Sequence, residues 1–312
     1  MILDDIIADT RIRLNKEKQQ VSEVEYIRIA NQMLSIEDRV ASLENRLFSF
    51  DNKVVPYENK AVPFKEKLVS IEDGIASMHD INLPLEKSGF PFEKALRKQG
   101  MNFICEVKKA SPSKGVIVQD FDYIQIAIDY EKAGVSCISV LTEPKYFQGD
   151  INYLKKISRV VKLPLLRKDF IIDPYQIYQA KAMGASAVLL ICAVLERREL
   201  KELHNLCNDL GLSALVEIHD EKEAAMALEA GARIIGVNNR NLKDFTVDLN
   251  RSVRLRPLIP EKVVFVAESG IKTASDIKIL SKAKVNGVLI GESMMKSKDK
   301  NVMLRELLSE IV

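Results

Sequence analysis

Residues 103–108 read FICEVK, and they form the first of eight short apolar runs between residues 103 and 290. None of the eight alternates strictly between apolar and polar residues, which is typical of strands that are buried on both faces. The runs begin 20 to 34 residues apart and cover 103–107, 137–141, 163–166, 187–191, 214–216, 234–237, 263–267 and 285–290. This recurrence predicts eight buried strands.

Segments with the apolar spacing of helices separate the eight runs. Several of them end on glycine, which adopts the left-handed conformation that terminates a helix at low cost: Gly134, Gly184, Gly211 and Gly231. Eight strand–helix units at this spacing predict a (β/α)8 TIM barrel over residues 101–312. An open doubly wound sheet is the alternative, and it is weakened because no GxGxxG motif follows the early runs.

Residues 1–100 are charged and helical in pattern, and they predict a helical N-terminal extension to the barrel. Residues 35–45 read SIEDRVASLEN and residues 70–80 read SIEDGIASMHD, with six of eleven positions identical. A tandem repeat, with copies at 35–69 and 70–97, accounts for this similarity. Chance similarity between charged helical sequences is the alternative.

Composition narrows the possible partners. The chain has 312 residues with 47% hydrophobic and 29% charged residues, and its net charge is +2. This balance gives no electrostatic case for nucleic acid or an anionic membrane as the main partner. Four singly spaced cysteines indicate reduced thiols in a cytoplasmic protein, and neither they nor the three histidines suggest a metal site.

The ends of the predicted strands carry an unusual set of charges. In a TIM barrel the carboxyl ends of the strands build the active site. A single charged residue at a strand end is explained by the chain leaving the core. Three Glu and two Lys gathered at the same end of the barrel cost free energy, which indicates that they have a chemical use. The set predicts several general acids and bases: Glu106, Lys108, Lys168, Glu217 and Glu268.

The loops that follow the seventh and eighth runs predict an anion-binding site. Ser269 and Gly270 follow the seventh run, and Gly291 and Glu292 follow the eighth, where many barrels bind phosphate through backbone N–H groups. Ser111 lies in the loop after the first run and adds a hydroxyl group. A flexible, solvated loop is the alternative interpretation of that segment.

The motifs together resemble the indole-3-glycerol phosphate synthase family of tryptophan biosynthesis. The matching stretches are MILDDIIADTR (1–11), FICEVKKASPSKG (103–115), LTEPKYFQGD (141–150), LPLLRKDF (163–170), VEIHD (216–220), GVNNRNL (236–242), AESGI (267–271) and LIGESM (289–294). The resemblance implies a phosphosugar–anthranilate substrate, 1-(2-carboxyphenylamino)-1-deoxyribulose 5-phosphate. It further implies indole-ring closure with loss of CO2 and water, without a cofactor.

The resemblance also implies roles for residues. Lys168 would protonate or polarise the ketone oxygen, while Glu106, Lys108 and Glu217 would share the proton transfers of dehydration, in a division that stays open. The remaining expected roles are orientation by Asn238, a supporting or hydroxyl-binding carboxylate at Glu268, carboxylate binding by Lys108 and Arg240, aromatic walls at Phe147 and Phe170, and phosphate binding by Ser111, Ser269, Gly270, Gly291 and Glu292.

Two other functions are alternatives to this one. One is another phosphosugar barrel, such as the isomerase that acts one step earlier. The other is an inactive scaffold whose helical N-terminal segment binds a partner, against which the intact acid–base set argues. The expected quaternary state is a monomer or a weak homodimer.

Overall fold

The fold is given by a computed structural model that describes residues 2–51, 89–241 and 244–311, with the backbone alone for residues 38–51. Its barrel strands are β1 (Asn102–Val107), β4 (Cys137–Leu141), β5 (Leu165–Lys168), β6 (Ala187–Ile191), β7 (Ser213–Ile218), β8 (Ile234–Asn238), β9 (Val264–Glu268) and β10 (Gly287–Ile290). All eight are parallel and close in the order β1-β10-β9-β8-β7-β6-β5-β4, which confirms the predicted TIM barrel. A small hairpin, β2 (Ala110–Ser111) and β3 (Gly115–Val116), follows β1.

Helices alternate with the strands around the barrel. They are α1 (Ile2–Gln20), α2 (Glu23–Asp51), α3 (Pro91–Leu96), α4 (Tyr123–Ala133), α5 (Ile151–Ile157), α6 (Pro174–Ala182), α7 (Arg197–Asp209), α8 (Glu221–Glu229), α9 (Asn250–Leu255), α10 (Ala274–Lys282), α11 (Glu292–Lys296) and α12 (Lys300–Leu308). The four predicted terminating glycines all have positive φ. No helix within the described ranges is long and apolar enough to cross a membrane.

Three strands differ from the sequence prediction by two residues at one end or more, whereas the first, sixth and seventh differ by a single residue. The third strand begins at Leu165 and extends through Lys168, so the predicted 163–166 starts two residues early and stops two residues early. The fifth strand is longer than 214–216 at both ends. The eighth begins at Gly287, because Val285 still donates its backbone N–H to Leu280 at the end of α10.

The interior of the barrel is closed at one end and open at the other. Side chains alternate along a strand, so one residue in two faces the interior. At the amino ends of the strands, an apolar cluster fills the barrel, and Phe92 and Leu96 of α3 pack against it. The charged residues identified from the sequence lie at the opposite end.

The N-terminal helices pack directly on the barrel. Arg13 of α1 donates to the buried Asp169 at 2.8 Å, just after β5, and Lys145 and Tyr146 both donate to Asp9 at 2.6 Å. Lys181 of α6 forms a 2.7 Å ion pair with Glu37 of α2. The predicted repeat at 35–69 and 70–97 lies mostly outside the described residues and stays a prediction.

Candidate active site

The carboxyl end of the barrel opens into a cavity of about 820 Å³. This volume is within the range of small-ligand sites. All the residues that the sequence analysis assigned to a site line the cavity: Glu106, Lys108, Ser111, Phe147, Lys168, Phe170, Glu217, Asn238, Arg240, Glu268, Ser269, Gly270, Gly291 and Glu292. Residues from loops and strand ends far apart in sequence therefore meet at one place.

A partly buried lysine lies between two carboxylates at the centre of the cavity floor. Lys168 donates through Nζ to Glu268 Oε2 at 2.8 Å and to Glu217 Oε2 at 3.2 Å. Asn238 donates to the other oxygen of Glu217 at 3.2 Å. An ammonium has three N–H groups, so these two carboxylates leave one for a substrate oxygen.

A second ion pair lies beside this centre. Glu106 and Lys108 come from the end of β1, two residues apart on the same side of the strand, and their charged groups are in contact. The predicted convergence of three Glu and two Lys is thus a feature of the folded chain.

Lys168 is held in its charged form. Burial disfavours the ammonium, but the negative charges of Glu268, Glu217 and Glu106 outweigh burial and hold the pKa of Lys168 above its ordinary value. At neutral pH this side chain is therefore a cationic donor and cannot serve as a base.

The two carboxylates around Lys168 differ in acidity. Burial raises the pKa of Glu268 to about 7, because the negative charges of Glu217 and Glu106 add to it and Lys168 only partly offsets it. Burial also acts on Glu217, but Lys168, His219 and the Asn238 hydrogen bond outweigh it and hold the pKa of Glu217 below its ordinary value. The site therefore pairs a fully ionised carboxylate with one that titrates near neutrality, an arrangement suited to acid–base work.

We expect Glu268→Gln to stabilise the fold at pH 8. The folded-state pKa of about 7 lies above the ordinary 4.5, so ionising Glu268 costs stability as pH rises from about 4.5 to 7. This pKa shift corresponds to a gain of at most about 3 kcal/mol in the free energy of unfolding of the variant. Loss of the hydrogen bond to Lys168 reduces that gain. Urea unfolding at pH 5 and pH 8 measures this gain, which should be larger at pH 8.

Glu217→Gln is the matched comparison with the opposite sign. In the wild type, the pKa of Glu217 is lower in the folded protein than in the unfolded chain. Its carboxylate therefore stabilises the fold above the unfolded-state pKa, and this contribution is lost as the pH falls through the folded-state pKa. The glutamine variant should therefore unfold more easily at both pH values. A Glu268→Gln variant less stable than the wild type at pH 8 would contradict the assigned pKa of Glu268.

Gly236 leaves room for the Glu268 carboxylate. It lies on β8, two residues before Asn238, and faces the barrel interior. A Cβ at this position would lie well inside the van der Waals contact distance of Glu268 Oε1 and 3.1 Å from a methyl group of Leu215. The absence of a side chain here therefore allows Glu268 to reach Lys168.

We expect Gly236→Ala to lower kcat by about tenfold or more. The added methyl group must displace the Glu268 carboxylate, and small misplacements of reacting groups carry large rate costs. Steady-state kinetics measure the effect. Gly287→Ala is the control, because Gly287 begins β10 at the opposite end of the barrel, where a Cβ would lie 3.1 Å from Asn102 O. That variant should lose stability without a specific loss of kcat, and equal kinetic losses would contradict the account of Gly236.

The rim of the cavity can hold an anion. Ser269 (φ 66°) and Gly270 (φ 86°) are consecutive left-handed residues, and Asn239 fixes their loop by donating to Ser269 O at 3.2 Å. Successive backbone N–H groups in such turns form anion-binding concavities. Gly291 and Glu292 lie on the same rim, and the lining includes three further cations: Lys114, Lys272 and Lys296.

Apolar groups form another part of the cavity wall. The rings of Phe147 and Phe170 are 6.3 Å apart. The lining also includes Ile2, Leu3 and Ile6, which belong to the first turns of α1. An aromatic ligand can therefore be enclosed between barrel loops and the N-terminal helix.

Comparison with known proteins shows the family. The sequence model of the family described as indole-3-glycerol phosphate synthase matches residues 52–307. The chain belongs to the indole-3-glycerol phosphate synthase family. The protein of that name from Ruminiclostridium cellulolyticum is 56% identical over 223 residues, which cover 72% of this chain and 86% of that protein. The one from Endomicrobium trichonymphae is 58% identical over 222 residues, covering 71% and 86%.

The predicted family is thus confirmed, and with it a lyase activity in tryptophan biosynthesis. A solved structure, 3-hexulose-6-phosphate synthase from Salmonella typhimurium, superposes with a TM-score of 0.55 at 14% identity and covers 67% of this chain and 97% of its own. That likeness shows the fold alone.

Part of this indole-3-glycerol phosphate synthase site was not predicted from the sequence. Every predicted site residue lies at or beyond 106, whereas Ile2, Leu3 and Ile6 also line the cavity. The stretch MILDDIIADTR contained the signal, since it matched the family motif without being given a role. Gly236 was also overlooked, although it stands in the quoted motif GVNNRNL. Among the described residues no group of three or more His, Cys, Asp or Glu is arranged to hold a metal ion.

Proposed function

We propose that this cavity closes the indole ring of 1-(2-carboxyphenylamino)-1-deoxyribulose 5-phosphate, releasing CO2 and water. We further propose that Lys168, Glu217 and Glu268 form its reacting centre. The observation that carries the proposal is the Lys168 ammonium, which lies at the floor of the cavity and donates to both carboxylates.

The shape and charge of the cavity support this substrate. The phosphate would lie on the rim, against the backbone of Ser269, Gly270, Gly291 and Glu292 and the hydroxyl of Ser111. The aromatic ring would lie against Phe147 and Phe170, while Lys108 and Arg240 engage the aryl carboxylate until CO2 leaves. This arrangement would place the ketone carbon over the cavity floor.

The first chemical step needs an acid near the ketone oxygen. As the ring carbon attacks the ketone carbon, negative charge develops on that oxygen. The Lys168 ammonium would stabilise the charge and then donate its proton. Its raised pKa keeps the side chain cationic at neutral pH, so that its positive charge is present where the negative charge develops.

The later steps need a base and a second acid. Restoring the aromatic ring requires loss of CO2, and dehydration requires that one proton is removed while the hydroxyl group leaves as water. Glu217 is the proposed base, since it is ionised and oriented by Asn238. Lys108, paired with Glu106, would protonate the leaving hydroxyl group, and Glu268 would support Lys168.

A steady-state assay with the purified chain tests this function. Adding the substrate should produce indole fluorescence together with one equivalent of CO2. An inactive scaffold would give neither signal, and an isomerase that acts one step earlier would consume its own substrate without releasing CO2.

We also propose that the enzyme acts in the cytoplasm, without a cofactor, as a monomer or a weak homodimer. Four free, buried cysteines support a reducing compartment. Size-exclusion chromatography across a concentration series tests the quaternary state.

A further inference from the structure

His219 lies directly behind the proposed base. It follows β7, one residue beyond its last member, so it stands two positions after Glu217. Its ring Nε2 is 3.6 Å from Glu217 Oε1, and its Nδ1 is 3.1 Å from Glu223 Oε2. The ring is therefore held between a carboxylate of the site and a carboxylate of α8.

Glu223 fixes the position of this ring. Its Oε2 accepts both the backbone N–H of His219 at 2.7 Å and the ring Nδ1. Glu223 itself is anchored at the start of α8, where its backbone N–H donates to the N-cap Asp220 at 2.9 Å. With Nδ1 engaged by Glu223, Nε2 is the atom directed at Glu217.

Nε2 of His219 is buried and has no hydrogen-bond partner within the described part of the chain. A buried polar atom without a partner costs free energy, so native structures contain few of them. His219 is also absent from the described residues that line the cavity. Glu217 is the cavity-lining residue that its ring approaches, at 3.6 Å.

Three charged groups face the ring, from three elements. Glu217 of β7 and Glu223 of α8 favour the imidazolium, whereas Arg251 of α9 opposes it. Burial is the largest opposing effect, yet the carboxylates outweigh it and the pKa of His219 is raised. The next charge beyond Glu217 is Lys168, on the other oxygen of that carboxylate.

We propose that His219 is a positioning residue for Glu217, and that, clamped by Glu223, it holds the Glu217 carboxylate ionised and facing the substrate. Glu217 then has Asn238 and His219 at Oε1 and Lys168 at Oε2. This inference rests on the proposed function of Glu217 as the base of the ring-closure reaction.

The test compares kcat of the wild type and of His219→Phe between pH 8 and pH 5. Phenylalanine keeps the ring but removes the charge and both nitrogens. We expect kcat to fall by about tenfold at low pH, with KM changed less than about twofold. An opposite charge at this range lowers a carboxyl pKa by roughly 1–3 units, so its loss should protonate Glu217 at higher pH.

The readout is the ratio of variant to wild-type kcat at each pH. Taking the ratio removes the pH effects that are common to both proteins. The ratio should decrease as the pH is lowered. Glu223→Gln, which retains the histidine but removes its carboxylate partner, should give a smaller decrease in the same direction. His204→Phe is the control, because His204 is a buried histidine of α7 outside the cavity, and its ratio should not change with pH.

A ratio for His219→Phe that stays constant with pH, at unchanged KM, would mean that His219 only fills space and would overturn the proposal. A constant ratio for Glu223→Gln would do the same if His219→Phe does not fold. A wild-type chain without turnover would instead overturn the proposed function, before any variant is compared.

Discussion

Replacing Lys168 with alanine should lower kcat by at least about 10²-fold, the usual contribution of a positioned general acid. Alanine removes the ammonium that donates to Glu217 and Glu268 and leaves no acid near the ketone oxygen. The fold should survive, because Glu268 already titrates near neutrality and can take up a proton in place of the lost cation. Steady-state kinetics and thermal unfolding of the same preparation measure the two effects.

Lys168→Arg separates charge from proton donation. Arginine keeps a cation between the carboxylates, but its guanidinium is larger, planar and a poor proton donor near neutral pH. The arginine variant should therefore remain nearly as inactive as the alanine variant. If either variant retained near-wild-type turnover, Lys168 could not be the acid of the first step.

Glu217→Gln should lower kcat by about 10²-fold or more while KM changes little. Glutamine preserves the shape of the side chain and can still contact Lys168 and Asn238, but it cannot accept the proton. A mutation that lowers kcat and kcat/KM equally has removed an interaction made only in the transition state. Glu229→Gln, on the exposed end of α8, is the control and should behave as the wild type.

A large increase in KM with unchanged kcat would assign Glu217 to binding instead. The base of the dehydration step would then have to be Glu106 or Glu268. The pH dependence of kcat tests Glu268 as that base, because its pKa is raised to about 7.

The charged floor of the cavity could be predicted from the sequence because it follows from local rules. Apolar runs locate the strands, and the residue that ends each run lies at the open end of a parallel barrel. Glu106 and Lys108 could even be placed on one side of a strand from their spacing. The ion pairs themselves could not be predicted, since β5, β7 and β9 are brought together only by barrel closure.

Other features depend on three-dimensional distances that no local pattern encodes. Glu217 and Glu268 are the same residue type at equivalent strand ends, yet their pKa values shift in opposite directions. Asn238 donates its hydrogen bond to Glu217, and the ring of His219 lies 3.6 Å from the same carboxylate. The contribution of Ile2 and Ile6 to the cavity depends on how α1 docks, through pairs such as Arg13 with Asp169. The clearance at Gly236 becomes visible only with the Glu268 side chain in place.

The central claim is that the substrate ketone lies against Lys168 at the floor of the cavity. A crystal structure of the Glu217→Gln variant with bound substrate tests this most directly, because the variant should bind the substrate without consuming it. We predict a ketone oxygen about 3 Å from Lys168 Nζ, with the phosphate on the backbone at Gly270 and Gly291. A ketone oxygen hydrogen-bonded to Lys108, with Lys168 still occupied by its carboxylates alone, would contradict the account.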